Sequence, residues 1–169
     1  MGYRTAVRQV NKRLLHRDQT FTLPTGLTMT LPFGSCFGNE VFVTGANVDN
    51  GAETLLAGFA DLDADAVDVS ANIGYYSLYL APAVRKVYAF EPNPRSVSVL
   101  RRNAAPNVVF EEAVSDRVGT GSPRPWSGSE VSRISGQPRS TTVEVSATTI
   151  DAFIARRPDV CVRNPEDRC

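Results

Sequence analysis

The sequence has few of the residues that build metal sites and disulfide frameworks. It contains three cysteines, Cys36, Cys161 and Cys169, and a single histidine, His16. An odd number of cysteines without C-x-x-C spacing indicates neither a disulfide framework nor a zinc site. We therefore expect no bound metal and, by default, the reducing environment of the cytoplasm.

Long apolar runs and an excess of charge of one sign are also missing from the sequence. Nowhere do 18 apolar residues follow one another, so no transmembrane segment is predicted. Basic side chains interrupt the first 19 residues, which argues against a secretory signal. Lysine plus arginine and aspartate plus glutamate number 18 each, so bulk charge gives no reason to expect a nucleic-acid partner.

The first part of the chain, residues 1–60, is predicted to be an N-terminal extension. Apolar residues near helical spacing indicate an amphipathic helix over residues 3–17, which either packs on the protein or faces a partner or membrane surface. Alternation on both sides of a Pro-Thr-Gly turn predicts a β-hairpin over residues 21–31. Residues 41–43 fit a short third strand, and residues 51–60 fit a helix.

The next part, residues 61–160, alternates strand-like and helix-like segments. Strands are expected at residues 66–69, 86–90 and 108–110. The helix after the first strand should run from about residue 72 to Leu80, and Asn93 followed by Pro94 indicates the start of the next one. Strands joined through helices pair in parallel with right-handed connections, so the sequence predicts a parallel half-sheet.

A long loop, residues 117–142, separates this half-sheet from the last predicted elements. It is rich in glycine, proline and serine and carries Trp126. Such a stretch is either disordered, packed on itself or a lid over the substrate, and the sequence leaves these alternatives open. A strand at residues 143–145, a helix at residues 150–155 and a fourth core strand beginning at residues 158–160 are expected after it.

Two acidic residues mark the ends of the first two core strands. Asp68 precedes a tight turn of small residues, where a ligand can approach the backbone and the amides at a helix start would be free to bind it. Asn72 either caps the helix or binds the ligand, and Gly74 allows close approach. Glu91 offers two acceptor oxygens suited to the paired hydroxyls of a ribose; the alternative is a solvated or ion-paired carboxylate.

The turn does not carry a nicotinamide dinucleotide fingerprint. That fingerprint requires G-x-G-x-x-G, whereas Asp-Val-Ser-Ala-Asn-Ile-Gly contains one glycine. The looser D-x-G-x-x-x-G pattern suits an adenosine with an amino-acid arm. The sequence departs from this pattern only at Ser70. The sequence therefore favours such a ligand over a dinucleotide.

These segments resemble the FkbM-type S-adenosylmethionine-dependent methyltransferases over roughly residues 21–160. The resemblance is carried by residues 68–77, 87–94, Asn103, 113–116 and 149–153. It implies an α/β, Rossmann-like class I methyltransferase fold with a mostly parallel sheet, and S-adenosyl-L-methionine as the cofactor. It also implies methyl transfer to a hydroxyl group of a small molecule, sugar or glycan.

The resemblance further implies which residues hold the cofactor. The turn would face the methionine part, Glu91 the ribose, and residues 114–116 the adenine. The predicted cofactor-binding residues are Asp68, Ser70, Ala71, Asn72, Gly74, Glu91, Pro92, Asn93, Val114 and Ser115. Methyl transfer to a hydroxyl needs a base near the methyl group, but His16 lies in the N-terminal helix and no catalytic residue is predicted.

Two departures from the family leave three functions open. Ser70 stands where the family usually has glycine, and residues 161–169 form an atypical tail where the family continues with a strand resembling K-I-D-V-E-G. We therefore expect the sheet to be incomplete at its C-terminal side. The chain is then a working O-methyltransferase, a truncated and inactive fragment that at most binds the cofactor, or, third, a nucleotide-binding oxidoreductase. The oligomeric state is not predicted.

Overall fold

The computed structural model describes residues 2–11, 16–104, 107–121 and 145–161 of the chain. The N-terminal part begins with helix α1 (Tyr3–Val10), so the predicted helix is confirmed over its first half. Residues 12–15 lie outside the described part, and the prediction is wrong at residues 16–17, because His16 has a φ of 50° and lies outside the helix. Strands β1 (Gln19–Thr22) and β2 (Thr28–Leu31) then pair antiparallel, with Gln19 opposite Leu31. The predicted β-hairpin is therefore confirmed.

The short strand expected at residues 41–43 is wrong, because these residues belong to helix α2 (Cys36–Thr44). Ser35 caps this helix, since its hydroxyl oxygen accepts a hydrogen bond from the Gly38 N–H at 2.9 Å. Gly38 and Val41 are the buried positions, and their spacing follows the helical period. Three consecutive apolar residues were too short a window to separate the two periods.

Helix α3 (Ala52–Phe59) leads into the parallel core sheet and matches the prediction. The sheet has the order β3-β4-β5, with Asp65 opposite Lys86 and Tyr88 opposite Val108. Its strands are β3 (Asp65–Val69), β4 (Lys86–Phe90) and β5 (Val108–Phe110). All three agree with the predicted strands to within one residue.

The two crossover helices start at different kinds of cap. Helix α4 (Tyr75–Leu80) begins three residues later than predicted, because residues 70–74 form a turn with positive φ angles. Helix α5 (Pro94–Asn103) begins where Asn93 and Pro94 indicated, and the Asn93 side chain accepts from the Arg95 N–H at 3.0 Å. We call residues 70–74 the β3–α4 turn.

A smaller sheet follows the core strands. Strand β6 (Ala113–Val114) is parallel to β8 (Val145–Thr148), and β7 (Gly119–Gly121) is antiparallel to β8. The predicted long loop thus contributes a strand at its beginning, while its residues 122–142, with Trp126, lie outside the described residues. Helix α6 (Ile150–Ala155) begins as predicted, with the Thr149 hydroxyl accepting from Ala152 N–H at 3.0 Å.

The fourth core strand was expected to begin at residues 158–160, and this start is wrong, because a turn lies there. The Val160 N–H donates to the Arg157 carbonyl at 3.0 Å, which keeps the backbone out of an extended conformation. Cys161 lies beside the outer side of β3, where its carbonyl accepts from the Asp65 N–H at 2.7 Å. Cys161 is also disulfide-bonded, which the sequence did not predict; residues 162–169 lie outside the described part.

The N-terminal elements and the core share one hydrophobic cluster. Leu23, Met29 and Val41 from the first part pack with Ile73 and Tyr75 from the second. In a separate hydrophobic cluster, Tyr88 and Phe90 of β4 pack against Phe153 of α6. Among the described helices, none has the length and apolar composition needed to cross a membrane.

Candidate cofactor site at the ends of β3 and β4

The β3–α4 turn has a backbone path that most side chains disfavour. Its φ angles are 62° at Ser70, 50° at Asn72 and 90° at Gly74. Glycine adopts such angles without a steric cost, asparagine at a small one and serine at a larger one. The turn is therefore strained at Ser70, which is also an exposed position.

Hydrogen bonds fix this turn to the end of the neighbouring strand. The Ala71 N–H donates to the Phe90 carbonyl at 2.9 Å, and the Asn72 N–H donates to Glu91 Oε2 at 2.9 Å. The Gly74 N–H donates to the Ala71 carbonyl at 2.8 Å. These three amides are thus paired within the protein, so fewer amides are left for a ligand than the sequence indicated.

Glu91 is the acidic residue at the centre of this arrangement. It is 7% exposed, and its Oε1 accepts from the Asn93 N–H at 2.8 Å while Oε2 holds Asn72. An ionised carboxylate has about four acceptor positions, so both oxygens keep capacity for further donors. Burial raises the pKa of Glu91, and the nearby Asp68 charge adds to this, while the two backbone hydrogen bonds oppose it.

Asp68 is buried at the end of β3, with 8% of its surface exposed. Its Oδ2 accepts from the Ser77 hydroxyl at 2.6 Å, which ties α4 to the strand. Burial raises the pKa of Asp68 more than the hydrogen bonds from Ser77 lower it. The structure therefore brings two carboxyl groups with raised pKa values to neighbouring strand ends.

Gly74 is needed for helix packing. A Cβ at this position would lie 2.8 Å from Cδ1 of Leu100 and 3.7 Å from the Cβ atoms of Asn103 and Ala104. Since the open side of Gly74 faces α5, contact with a ligand at this residue would have to come from its backbone. The close approach to Gly74 that the sequence predicted is present, but it is made by α5 and not left open for a ligand.

The remaining predicted residues lie around this cluster or in the smaller sheet. Ala71 is buried, and Pro92 and Asn93 are half-buried beside Glu91. Asn72 does not cap α4, whose N-cap is Gly74. Val114 and Ser115 lie at the end of β6, where the Ser115 N–H donates to the Thr148 carbonyl at 2.8 Å.

Asn103 is a site residue whose role the sequence alone did not reveal. It is 6% exposed, and its Oδ1 accepts from the Thr30 N–H at 2.7 Å. Its Nδ2 donates to the carbonyls of Thr30 at 3.1 Å and Ile73 at 2.7 Å. One side chain of α5 thereby joins the β-hairpin to the β3–α4 turn.

Glu53 is a second residue that the sequence did not single out. It is 2% exposed, and its Oε1 accepts from the Val48 N–H at 2.7 Å, the Asp49 N–H at 3.1 Å and the Tyr75 hydroxyl at 2.9 Å. Burial raises the pKa of Glu53, but these hydrogen bonds outweigh it and the net shift is downward. Because Tyr75 directly follows the turn, Glu53 fixes α3 to the start of α4. The sequence signal that could have identified Glu53 is an acidic residue in the first turn of a largely apolar helix.

The chemistry of the site follows from these side chains. Two buried carboxyl groups and a turn of small residues suit a polar ligand with hydroxyl and amine donors. Among the described residues, no group of three or more His, Cys, Asp or Glu side chains is arranged to hold a metal ion.

Comparison with protein families matches residues 68–161 to the methyltransferase FkbM domain. The matched segment is more than half of the chain and runs from Asp68 through Glu91 to Cys161. A search of curated proteins finds no match.

Several solved structures have similar parts. A putative transferase from Pyrococcus horikoshii is 19% identical, with a TM-score of 0.44, over 66% of this chain and 48% of that one. The M. jannaschii tRNA m1G37 methyltransferase is 12% identical, with a TM-score of 0.44, over 68% and 46%. P. horikoshii TYW2, solved in complex with MeSAdo, is 20% identical, with a TM-score of 0.43, over 66% and 48%. The chain thus spans less than half the length of these proteins.

Proposed function

The chain belongs to the methyltransferase FkbM domain family, and from this we propose that it transfers a methyl group from S-adenosyl-L-methionine to a hydroxyl group of a small molecule, sugar or glycan. The observation that carries the proposal is the pair formed by the β3–α4 turn and Glu91. Its residues fit the cofactor because Glu91 is buried, oriented by two backbone amides and still able to accept hydrogen bonds.

Each part of the site has a role in this proposal. Glu91 accepts hydrogen bonds from the two ribose hydroxyls, and the turn with Ser70, Ala71 and Asn72 lies along the methionine arm. Asp68 accepts from the amino group of that arm. Val114 and Ser115 lie beside the adenine, and Pro92 and Asn93 complete the wall next to Glu91.

Bound S-adenosyl-L-methionine would supply an electrophilic methyl group on a sulfonium sulfur. The protein's contribution is to hold this donor and the acceptor hydroxyl at reacting distance and to remove the hydroxyl proton. The described residues contribute to the first task through the turn and Glu91. No described residue is assigned to the second task.

Calorimetric titration with S-adenosylhomocysteine tests the proposal, with NAD as the competing ligand. We expect S-adenosylhomocysteine to bind and NAD not to bind, since the turn lacks two of the three glycines of the G-x-G-x-x-G fingerprint. Preferential binding of NAD would instead support a nucleotide-binding oxidoreductase. Binding without methyl transfer to any hydroxyl acceptor would support an inactive fragment.

The variant Glu91→Gln tests the ribose contact. Loss of charge-assisted hydrogen bonds of about 1.5–3 kcal/mol corresponds to a roughly 10- to 100-fold weaker affinity for S-adenosylhomocysteine. Glu111→Gln is the matched control, because Glu111 is an exposed carboxylate paired with Arg101 at 3.5 Å. Equal affinities for Glu91→Gln and wild type would contradict the assignment.

A further inference from the structure

Glu53 is a buried carboxylate whose hydrogen bonds reach only one of its two oxygens. Burial raises its pKa, but the hydrogen bonds lower it further, so the side chain is ionised at neutral pH. Val48, Asp49 and Tyr75 all donate to Oε1, and among the described residues no group donates to the buried Oε2. A buried charge is costly unless hydrogen bonds satisfy it, so each of these three donors matters to Glu53.

Tyr75 is the side-chain donor in this set, and its ring is fully buried. Burial raises the pKa of Tyr75, and the contact with Glu53 adds to this, so the hydroxyl stays protonated and donates to the carboxylate. The ring packs against three others, with centroid distances of 5.7 Å to Phe37, 5.1 Å to Tyr76 and 5.6 Å to Tyr79. Packing and the hydrogen bond together therefore hold Tyr75 in one orientation.

Tyr75 is joined directly to the β3–α4 turn. Helix α4 begins at Tyr75, and Gly74, the last residue of the turn, is its N-cap. Within the turn, Ser70 and Asn72 have φ angles of 62° and 50°, which cost energy for residues other than glycine. Such a backbone path persists only where the surrounding structure holds it in place. Glu53 supplies part of that hold, because it fixes the residue that follows the turn.

We propose that Glu53 is a positioning residue for the cofactor: through its hydrogen bond with Tyr75 it keeps the β3–α4 turn in the conformation that binds S-adenosyl-L-methionine. The identity of the ligand rests on the proposed function, while the hold on the turn is measurable without any ligand. Glu53 acts through Tyr75 and is not assigned a contact with the cofactor.

Hydrogen exchange of the ligand-free full chain tests the hold on the turn. The amides of Ala71, Asn72 and Gly74 are hydrogen-bonded within the protein, so their exchange reports opening of the turn. Tyr75→Phe removes only the hydroxyl. We expect it to speed exchange at these amides about three- to tenfold more than at the amides of β4, which corresponds to one hydrogen bond. Equal acceleration at the turn and at β4, or none at the turn, would overturn the proposal.

Tyr76→Phe is the matched control. The Tyr76 hydroxyl donates to Asp49 Oδ2 in an exposed pair, one residue further along α4. The variant removes the same atom from the neighbouring position but leaves the hydrogen bond between Tyr75 and Glu53 in place. We expect wild-type exchange at the turn and a wild-type dissociation constant for S-adenosylhomocysteine. Equal effects of Tyr75→Phe and Tyr76→Phe would contradict a specific role of Glu53.

Calorimetric dissociation constants of S-adenosylhomocysteine connect the turn to the cofactor. Tyr75→Phe and Glu53→Leu should each weaken binding about three- to tenfold, since each removes one partner of the same hydrogen bond. Glu53→Leu should cost less affinity in the Tyr75→Phe background than in the wild type. Glu53→Gln keeps an acceptor for the Tyr75 hydroxyl and should bind nearly as the wild type does. A lower free energy of unfolding with unchanged dissociation constants would limit Glu53 to a structural role and overturn the proposal.

The two measurements separate this proposal from the proposed function. S-adenosylhomocysteine binding that is the same in the wild type, Tyr75→Phe and Glu53→Leu would overturn the role of Glu53 alone. Faster exchange at the turn of Tyr75→Phe, in a protein that binds no S-adenosylhomocysteine, would overturn the proposed function and keep Glu53 as the residue that holds the turn.

Discussion

Ser70 is a residue at which the backbone and the side chain are in conflict. A non-glycine residue with a φ of 62° carries a steric cost of about 1–2 kcal/mol. Asn72 has a φ of 50°, but asparagine tolerates this region better than serine. The same exposed Ser70 side chain also lies where the cofactor's amino-acid arm is proposed to run.

Ser70→Gly is therefore predicted to stabilise the protein and to tighten cofactor binding. Relief of the steric cost, less the greater freedom of glycine in the unfolded chain, gives a gain of about 0.5–1 kcal/mol in the free energy of unfolding. The control Asn72→Gly should gain less. Equal calorimetric dissociation constants of S-adenosylhomocysteine for Ser70→Gly and wild type would count against the crowding argument.

Asp68 makes the stability depend on pH in a defined direction. Its pKa is raised in the folded protein above the ordinary value of 3.8, because burial disfavours the charged carboxylate. The contribution of the neutral Asp68 carboxyl group to the free energy of unfolding is fully present below that ordinary pKa. It is lost as the pH rises through the raised pKa. Above its ordinary pKa, Asp68 is therefore a net cost to folding.

Asp68→Asn is predicted to be more stable than wild type at pH 7, with a difference that disappears as the pH falls below the ordinary pKa. The asparagine carbonyl oxygen can still accept from Ser77, so the tie to α4 is kept. Denaturant unfolding across pH measures the difference. A difference that grows toward low pH would show that Asp68 has the opposite shift. Weaker S-adenosylhomocysteine binding by the same variant would support the proposed amine contact.

At the scale of elements, Gly74 is the N-cap of α4 and packs against α5. Ala at this position would have an unfavourable φ of 90° and a Cβ 2.8 Å from the Leu100 side chain. Gly51 has a similar φ of 95°, but a Cβ added there would meet no other atom within 4 Å. A comparison of alanine at Gly51 with alanine at Gly74 therefore separates the cost of the backbone angle from the cost of packing against α5.

Gly51→Ala is predicted to lower the free energy of unfolding by about 1 kcal/mol through its backbone angle alone. Gly74→Ala should lower it by about 2–4 kcal/mol, since overpacking against α5 adds to the same backbone cost. Thermal and denaturant unfolding measure both. Equal losses for the two variants would mean that α5 yields without cost. In a double-mutant cycle, Leu100→Ala should cost less in the Gly74→Ala background than in the wild type.

Asn103 connects three elements through a single side chain. Asn103→Ala removes three hydrogen bonds and leaves backbone groups of Thr30 and Ile73 without that partner, which predicts a loss of about 2–4 kcal/mol. Because Ile73 lies in the β3–α4 turn, S-adenosylhomocysteine binding should weaken as well. Ser98→Ala, at an exposed position of α5, should change stability by less than about 0.5 kcal/mol. A loss of stability with unchanged affinity would limit Asn103 to a structural role.

The elements that the sequence predicted best are those with strong local signals. Strands β3, β4 and β5 follow from apolar runs, and the start of α5 follows from Asn93 and Pro94. Helix α2 was missed because only two of its nine residues, Gly38 and Val41, are buried, while three apolar residues in a row suggested a strand. The start of a fourth core strand at residues 158–160 was predicted wrongly, because a turn there satisfies the backbone locally.

At the scale of the whole molecule, contacts between distant segments could not be predicted from the sequence. The hydrogen bond from Thr30 to Asn103 joins residues 73 positions apart, and no local pattern encodes it. The shared cluster of residues 1–60 and the core likewise depends on tertiary packing. The division into residues 1–60, 61–160 and 161–169 remains a prediction, as do the individual cofactor contacts.

The central claim concerns the place where the cofactor binds. Glu91 and the β3–α4 turn form one hydrogen-bonded unit at adjacent strand ends, and the family match begins at Asp68, just before the turn. A crystal structure of the protein with S-adenosylhomocysteine tests this claim most directly. We predict that the ligand lies across the turn, with its ribose hydroxyls within hydrogen-bonding distance of the Glu91 carboxylate. A ligand bound elsewhere, or an empty cleft at saturating concentration, would contradict the account.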